Sequence, residues 1–325
     1  MTDSIIVDGL SKRFKNLEAV RDVSFSVKEG EVFGFLGPNG AGKTTTINVL
    51  CTLLKPSGGS AQVAGFDVVR QQTQVRRSIG LVFQDTTLDE YLTAEQNLRF
   101  HAYAYGVSRK LTNYRIEELL KLLELWDRRK QSIREYSGGM KRRLELARGL
   151  LHHPRVLFLD EPSLGLDPQA RHKIWEYVLD LHRNDDTTIF MTTHYMDEAE
   201  HCDRIAVIDN GGIIALGTPE ELKRKVGGDV ITLKSNDKES IQKELREKYS
   251  IESELKDDAI TFTVSEGDKF LPEFVRASTQ PMQSISIRRP TLDDVFLKLT
   301  GHAIRDEAAD AQVNLRGGKW GSRRR

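Results

Sequence analysis

Short apolar runs alternate with longer amphipathic segments along the first two thirds of the chain. The apolar runs, each bounded by turns, lie at 32–36, 156–159, 189–191 and 205–208. Runs this continuous are typical of strands in a sheet that is covered on both faces. The segments 43–54 and 168–181 instead carry apolar residues at helical spacing. This alternation predicts an α/β fold with a largely parallel sheet.

The pattern changes to helices alone between Thr93 and Leu151. One stripe of apolar residues is formed by Ile116, Leu119, Leu120, Leu123 and Trp126. Such a stripe is the buried face of an amphipathic helix. We therefore expect a helical subdomain at about residues 93–151, inserted in an α/β domain that covers residues 1–224.

A second set of elements follows the break at Gly227 and Gly228. Strands are predicted at 230–234, 251–255, 260–264 and 284–288, and helices at 238–249 and 269–277. This β-α-β-β-α-β order predicts a small ferredoxin-like α+β domain at residues 229–300. The polar segment 301–325 ends in a basic run and is expected to be a disordered tail. Contact of its positive charges with acidic lipid headgroups or nucleic acid is the alternative.

Length and composition are those of a globular protein of about two domains. The 325 residues are 38% hydrophobic and 30% charged, with 48 basic against 48 acidic side chains. This balance argues against nucleic acid as a partner, because duplex-binding domains carry a basic excess. The first residues do not have the pattern of a secretory signal, and no apolar run approaches the roughly 18 residues that span a bilayer. We expect a cytoplasmic protein that reaches a membrane only through a partner.

A glycine-rich loop joins the predicted strand at 32–36 to a helix. Its residues are Gly37, Pro38, Asn39, Gly40, Ala41, Gly42, Lys43 and Thr44, and Thr45 comes next. The spacing is that of a P-loop, whose backbone N–H groups curl around phosphate oxygens. In such a loop Lys43 neutralises the β- and γ-phosphates, and the Thr44 hydroxyl binds Mg²⁺. The chain is therefore predicted to bind a nucleotide.

Two acidic residues, Asp160 and Glu161, end the apolar run at 156–159. Carboxylates at the C-terminal end of a buried parallel strand face the crevice where ligands bind in such sheets. Asp160 fits a metal-binding role, and Glu161 fits the general base that polarises the attacking water. An isolated Asp-Glu pair is more often a solvated strand end, but the P-loop favours the catalytic interpretation here.

A second candidate phosphate site is formed by Ser137, Gly138 and Gly139, which open an apolar-periodic segment. A glycine-rich helix N-terminus attracts an anion through its free N–H groups and the helix dipole. This segment brings no P-loop lysine of its own. We therefore interpret it as half of a site that closes over a nucleotide held by a second copy of the protein.

Together these motifs resemble those of the nucleotide-binding subunits of ABC transporters, over about residues 4–222. The resemblance implies ATP as the nucleotide, Mg²⁺, a homodimer of these subunits and a separate polytopic membrane permease. It implies that Ser137, Gly138 and Gly139 are the signature that binds the γ-phosphate on the opposite protomer. Gln84 resembles the Q-loop glutamine that senses metal and nucleotide, Asp167 lies in the D-loop, and His194 resembles the switch histidine.

Three of these assignments compete with a structural interpretation. A lone histidine at a strand end is usually structural, but His194 follows two threonines after a core strand. Gln84 rests almost wholly on the family resemblance. Phe14 is expected to stack on adenine through its π face, and a core aromatic at a strand end is the alternative.

Two further features resemble the daunorubicin-resistance-type branch of these subunits. Met140 stands where the signature usually has glutamine, and the run at 289–301 resembles the closing segment of that branch. Methionine offers no amide hydrogen bonds, but Ser137 and the glycine N–H groups remain. The resemblance implies an exporter ATPase on the cytoplasmic face of the membrane, with a drug, lipid or other amphipathic compound as cargo. A soluble ABC ATPase that acts on nucleic acid or ribosomes is the alternative.

Overall fold

The computed structural model describes residues 2–185, 187–256, 258–278 and 280–300. The predicted tail at 301–325 lies outside these residues. No helix among the described residues has the length and apolar character needed to traverse a bilayer.

The strands are numbered in chain order. Their bounds are β1 Asp3–Phe14, β2 Leu17–Lys28, β3 Val32–Leu36, β4 Gly58–Val63, β5 Phe66–Asp67, β6 Ile79–Val82, β7 Val156–Asp160, β8 Thr188–Thr193, β9 Arg204–Asp209, β10 Gly212–Gly217, β11 Asp229–Lys234, β12 Ser253–Lys256, β13 Ala259–Val264 and β14 Ser284–Arg288. The apolar runs of the sequence are thus strands, as predicted.

The helices follow the same numbering. Their bounds are α1 Lys43–Leu50, α2 Gln72–Ser78, α3 Ala94–Ala104, α4 Arg109–Leu122, α5 Gly138–Leu150, α6 Pro168–Asp185, α7 Met196–Ala199, α8 Pro219–Val226, α9 Lys238–Tyr249, α10 Gly267–Ala277 and α11 Leu292–Thr300, with 3₁₀ turns at Trp126–Arg128 and Ile133–Glu135. The helix predicted at 43–54 ends early, because Thr52 has φ +63°, outside helical values. The helix predicted at 168–181 runs on to Asp185.

The central sheet has the strand order β10-β9-β3-β8-β7-β6, and all its pairs are parallel except β9 with β10. Successive side chains of a strand point to opposite faces. Phe33 and Phe190 lie on one face in a stack of rings with Phe25 of β2, while Leu157 and Met191 lie in the core on the other face. Both faces are buried, which confirms the predicted parallel core.

A second sheet, with the order β2-β1-β4-β5, is antiparallel and was not predicted. It packs its apolar face, which includes Ile5 and Val63, on the Phe33 side of the central sheet. The pairing of β1 with β2 contains several register shifts. Such bulges interrupt the strict alternation by which a half-buried strand is found in a sequence.

The predicted helical segment contains α3, α4 and α5 and the two 3₁₀ turns. Each helix begins at a hydroxyl side chain: Thr93 forms a capping box with Gln96, and Ser108 and Ser137 accept hydrogen bonds from their third following residues. Ile116, Leu119, Leu120 and Leu123 are buried in the core that these helices share with the central sheet, and Trp126 packs against it.

The third sheet has the order β12-β13-β11-β14, with every neighbouring pair antiparallel. This order, with α9 and α10 as the crossovers, is the ferredoxin-like arrangement that the sequence predicted. The bounds of four elements differ by one or two residues. The strand predicted at 251–255 is Ser253–Lys256, the helix predicted at 269–277 begins at Gly267, and the strands predicted at 230–234 and 260–264 begin at Asp229 and Ala259. The sheet and its helices enclose a core of their own, which includes Ile231, Phe262 and Phe274.

The final helix, α11, was not predicted as a helix, and it packs away from the ferredoxin-like core. Leu292, Val295 and Phe296 are buried in the same cluster as Leu222 of α8 and Met196 of α7. The helix is only nine residues long, and a segment this short is marginal without tertiary packing. Its contacts tie the end of the described chain to the nucleotide-binding part.

Truncation of Phe296 should therefore destabilise the protein. The side chain is 1% exposed, and we expect Phe296→Ala to lower the free energy of unfolding by about 3–5 kcal/mol. The neighbouring Leu297 is 48% exposed, so Leu297→Ala should cost less than about 1 kcal/mol. Urea unfolding of both variants measures the difference, and equal losses would contradict the packing of α11.

Candidate functional site

The P-loop follows β3 and is fixed by neighbouring strands. Gly37 N donates to Thr193 O over 3.2 Å, and Ala41 is buried. Gly42, before α1, has φ +106°, and a Cβ there would lie 2.4 Å from Ala19 O. Only glycine satisfies both the left-handed conformation and this close approach.

Lys43 is buried, with 4% of its side chain exposed. Its Nζ donates to Gly37 O over 2.8 Å and to Pro38 O over 3.1 Å, and lies 3.0 Å from Glu161 Oε1. A buried ammonium needs such acceptors around it. The Lys43 ammonium therefore lies inside the P-loop, against the carbonyls of its first two residues.

Thr44 and Asp160 face each other from α1 and the end of β7. The Thr44 hydroxyl donates to Asp160 Oδ1 over 3.3 Å, and Thr192 of β8 donates to the same oxygen over 2.6 Å. Burial raises the pKa of Asp160 in spite of these two hydrogen bonds. A hydroxyl and a carboxylate oxygen are hard ligands of the kind that Mg²⁺ takes.

Glu161 lies between two partners. One carboxylate oxygen contacts Lys43, and the other lies 3.2 Å from His194 Nδ1. Burial by itself would raise the pKa of Glu161, but the His194 hydrogen bond and the Lys43 charge outweigh it, so the pKa lies below its ordinary value. The backbone has φ +46°, unusual for glutamate, and its N–H donates to the Thr192 carbonyl and hydroxyl.

The P-loop borders a cleft of about 490 Å³. Its lining residues are Phe14, Leu17, Ala19, Asn39, Gly40, Gly42, Lys43, Thr44, Thr45, Gln84, Glu161 and Leu164. Phe14 is 41% exposed at the end of β1, with Lys12 Nζ 4.9 Å from its ring centroid. It is therefore a half-exposed wall of the cleft and does not belong to the core.

A second cleft, of about 240 Å³, lies at the N-terminus of α5. Its lining residues are Ser137, Gly138, Gly139, Arg143, Gly165, Leu166, Asp167, Ala170 and Lys173. Ser137 caps α5, and Asp167 accepts a hydrogen bond from Ala170 N at the start of α6. The described residues that line the two clefts form separate sets, so this chain does not bring Ser137 onto its own P-loop.

Four charged residues near these clefts were missed by the sequence reasoning. Arg143 and Lys173 line the second cleft. Arg142 and Glu198 are buried, and Glu198 accepts hydrogen bonds from Ser163 and, over 2.6 Å, from Thr193, next to His194. For Arg142 and Arg143 the available signal was their position inside the apolar pattern of α5, because charged groups are seldom buried without partners. Lys173 and Glu198 lie on α6 and α7 and gave no such signal.

The strand, loop and helix around Lys43, with the carboxylates of Asp160 and Glu161 at the C-terminal end of β7, define a P-loop nucleotide-binding protein. Residues 20–164 match the family model described as ABC transporter, and residues 217–300 match that of the ATP-binding protein DrrA1-3-like, C-terminal domain. The chain belongs to the ATP-binding proteins of the ABC transporter family, in the daunorubicin-resistance branch, and it is an ATPase. The family and branch predicted from the motifs are confirmed.

Three relatives illustrate the match. Daunorubicin resistance ATP-binding protein DrrA3 of Streptomyces coeruleorubidus is 41% identical, over 92% of this chain and 96% of that protein. Nod factor export ATP-binding protein I of Ralstonia nicotianae is 38% identical, over 94% of this chain and 96% of that protein. The dimeric post-hydrolysis structure of the ATP-binding cassette MJ0796, bound to ADP and Pi, has a TM-score of 0.60 at 27% identity and covers 66% of this chain and 98% of that one.

Asp160 and Glu161 should affect stability in opposite directions. The raised pKa of Asp160 means that its contribution is largest at low pH and is lost as the pH rises through the folded-state pKa. The lowered pKa of Glu161 means that its contribution is present at neutral pH and is lost as the pH falls through the folded-state pKa. At pH 7, Asp160→Asn should raise the free energy of unfolding of the nucleotide-free protein, and Glu161→Gln should lower it by about 1.5–3 kcal/mol.

Urea unfolding at pH 7 measures both changes. Asp268→Asn is a matched control, because 74% of that side chain is exposed and its removal should change stability by less than about 0.5 kcal/mol. A loss of stability in Asp160→Asn would contradict the uncompensated burial of that carboxylate.

Proposed function

We propose that two copies of this chain, which is an ATP-hydrolysing subunit of an ABC exporter, hold each ATP between them. The proposal depends on one observation: within one chain, the cleft of Lys43 and the cleft of Ser137 share no lining residue among those that the structure describes. The dimeric structure of the MJ0796 cassette supports a pair of this kind. In this arrangement the P-loop cleft of one copy faces the Ser137 cleft of the other.

In the P-loop cleft, the residues divide the work of binding between base and phosphates. Phe14 presents the face of its ring to adenine. The loop N–H groups and Lys43 bind the β- and γ-phosphates, with Asn39, Gly40 and Thr45 along the wall. The half-exposed position of Phe14 and the buried ammonium of Lys43 support these roles.

Glu161 is the general base in this proposal. In the nucleotide-free protein, Lys43 and His194 both lower the pKa of its carboxylate, which makes it a weak base. When Lys43 turns to phosphate oxygens, Glu161 loses one of these partners and its affinity for a proton increases. Binding of the nucleotide thus prepares the base that accepts the proton of the attacking water. His194 stays beside Glu161 and contacts the γ-phosphate.

The oxygen ligands at the edge of the sheet fit Mg²⁺. The Thr44 hydroxyl is hydrogen-bonded to Asp160, and Thr44 and Gln84 both line the P-loop cleft. The described residues contain no cluster of three or more His, Cys, Asp or Glu side chains that would hold a metal ion. That suits Mg²⁺, which keeps waters and takes phosphate oxygens beside one or two protein ligands. When bound, it would neutralise charge on the β- and γ-phosphates.

The second cleft supplies donors to the partner's ATP. Ser137, Gly138 and Gly139 form the N-terminus of α5, a helix of 13 residues, where N–H groups and the helix dipole favour an anion. Arg143 and Lys173 are cations in the wall, and both pair with Glu124, at 3.3 and 3.0 Å, so together the three residues leave one net positive charge. The side chain of Met140 has no amide group, and its backbone N–H donates a hydrogen bond to the Ser137 hydroxyl.

The division of the chain follows from these roles. We assign residues 1–224 to the nucleotide-binding domain, with the helical subdomain at about 93–151, and residues 229–300 to an accessory domain. Gln84 lines the ATP cleft and precedes the helical subdomain in the chain, so we assign to the segment 84–98 the role of passing movement to a membrane permease on the cytoplasmic face. The names of the relatives, which include daunorubicin resistance and Nod factor export, support an amphipathic cargo. They do not favour a soluble ATPase that acts on nucleic acid.

Replacement of Glu161 by Gln tests the proposed base. The amide keeps the shape of the side chain but cannot accept a proton, so we expect ATP to bind, a dimer to persist and hydrolysis to fall by about a hundredfold or more. Phosphate release measures the rate, and size-exclusion chromatography with ATP measures the dimer. Turnover at the wild-type rate would exclude Glu161 as the base.

The shared site is tested with two inactive variants. Lys43→Ala removes the P-loop charge, and Ser137→Arg blocks the second cleft, so each homodimer should be inactive. In a mixed dimer, one ATP site combines the intact Lys43 with the intact Ser137, and an equimolar mixture should recover about a quarter of the wild-type rate if sites act independently. Activity in Ser137→Arg alone would contradict a role for this cleft.

A further inference from the structure

Arg142 of α5 is a buried arginine that neither cleft uses. Arg142 is only 7% exposed, and it lies five positions after Ser137, which lines the second cleft. A guanidinium carries five N–H donors in a planar fork and stays charged. Buried in this way it must find acceptors, and those acceptors identify what it does.

The guanidinium binds the backbone immediately around the proposed base. Nη2 donates to Asp160 O over 3.1 Å and to Glu161 O over 3.0 Å, and Nε donates to Pro162 O over 2.5 Å. Three consecutive carbonyls are therefore held by one side chain. The first two belong to the peptide units on either side of Glu161, which set the direction of its side chain.

The same guanidinium reaches the segment before Gln84. Nη1 donates to Phe83 O and contacts Glu145 Oε2 over 3.1 Å. Glu145, which is 1% exposed, accepts hydrogen bonds from Thr87 N over 2.7 Å and from the Thr87 hydroxyl over 3.3 Å. Arg142 and Glu145 thus connect residues 83–87 with residues 160–162.

Close packing of α5 on the central sheet makes this reach possible. A Cβ at Gly80 of β6 would lie 2.2 Å from Gly149 O, and one at Gly149 would lie 3.3 Å from the side chains of Val82 and Leu157. Two glycines therefore let the helix approach the strands. At the other end of α5, the Arg142 hydrogen bonds place the first turns next to the segments that follow β6 and β7.

We propose that Arg142 is a positioning residue that fixes the Glu161 carboxylate through its backbone and, with Glu145, couples that carboxylate to the Gln84 segment. Glu161 has φ +46°, a conformation that persists only where its surroundings impose it. Arg142 holds the carbonyl side of this residue, and Thr192 holds its N–H. A shift of residues 83–87 moves an acceptor of the same guanidinium and so changes the support of Glu161. The inference rests on Glu161 as the base.

Steady-state ATPase assays and nucleotide-binding titrations of the full chain test the proposal. Arg142→Met should lower kcat by about ten- to a hundredfold, because the base is displaced from its position, while the Kd for a fluorescent ATP analogue stays within about twofold. Arg142→Lys keeps a charge with fewer donors and should lie between Arg142→Met and the wild type. Equal loss of kcat and binding, or an unchanged kcat, would overturn the proposal.

A control and a double variant separate positioning from general destabilisation. Arg148→Met removes a half-buried guanidinium of the same helix that lines another cavity, with His101, Tyr105 and His152, and should keep kcat within about twofold. If Arg142 acts through Glu161, then adding Arg142→Met to Glu161→Gln should reduce the residual rate no further. Additive losses, or an equal loss in Arg148→Met, would refute the positioning role. Turnover at the wild-type rate in Glu161→Gln alone would instead refute the proposed base.

Discussion

The structure depends on how three ionisable side chains are accommodated at the C-terminal edge of one sheet. Lys43, Asp160 and Glu161 are each less than a tenth exposed, and a charge removed from water needs partners at close range. Lys43 and His194 are the partners of Glu161, and the hydroxyls of Thr44 and Thr192 are the partners of Asp160. The cluster is held together by contacts from β3, β7 and β8, so the parallel sheet is a condition of the site.

The pKa directions of the two carboxylates follow from these partners. Burial dominates at Asp160, where the partners are neutral hydroxyls, and cationic or imidazole partners dominate at Glu161. Adjacent acids in one strand end are thus given different proton affinities. One fits a ligand for a cation, and the other fits a base that becomes stronger when its lysine is drawn to phosphate.

Sequence reasoning found what depends on short-range pattern. The P-loop, the acid pair and the cap at Ser137 are contiguous motifs, and the central strands are continuous apolar runs, so each was readable without a fold. The antiparallel sheet was missed, because bulges break the alternation of β1 and β2. Helix α11 was missed, because its stability comes from Leu222 and Met196, far away in the sequence. Arg142 looked like one more basic residue on an amphipathic helix.

The sequence by itself determined the alternation of strands and helices in the parallel core, the ferredoxin-like order of elements and the residue types that can bind a nucleotide, since these are set by periodicity and by local backbone requirements such as Gly42. Only the tertiary structure decided which residues meet. It separated the Ser137 cleft from the P-loop of the same chain, placed Glu161 between Lys43 and His194, and brought Arg142 onto three carbonyls 18 to 20 residues away. These contacts join distant segments, and their distances come from packing between helix and sheet, which no local pattern encodes.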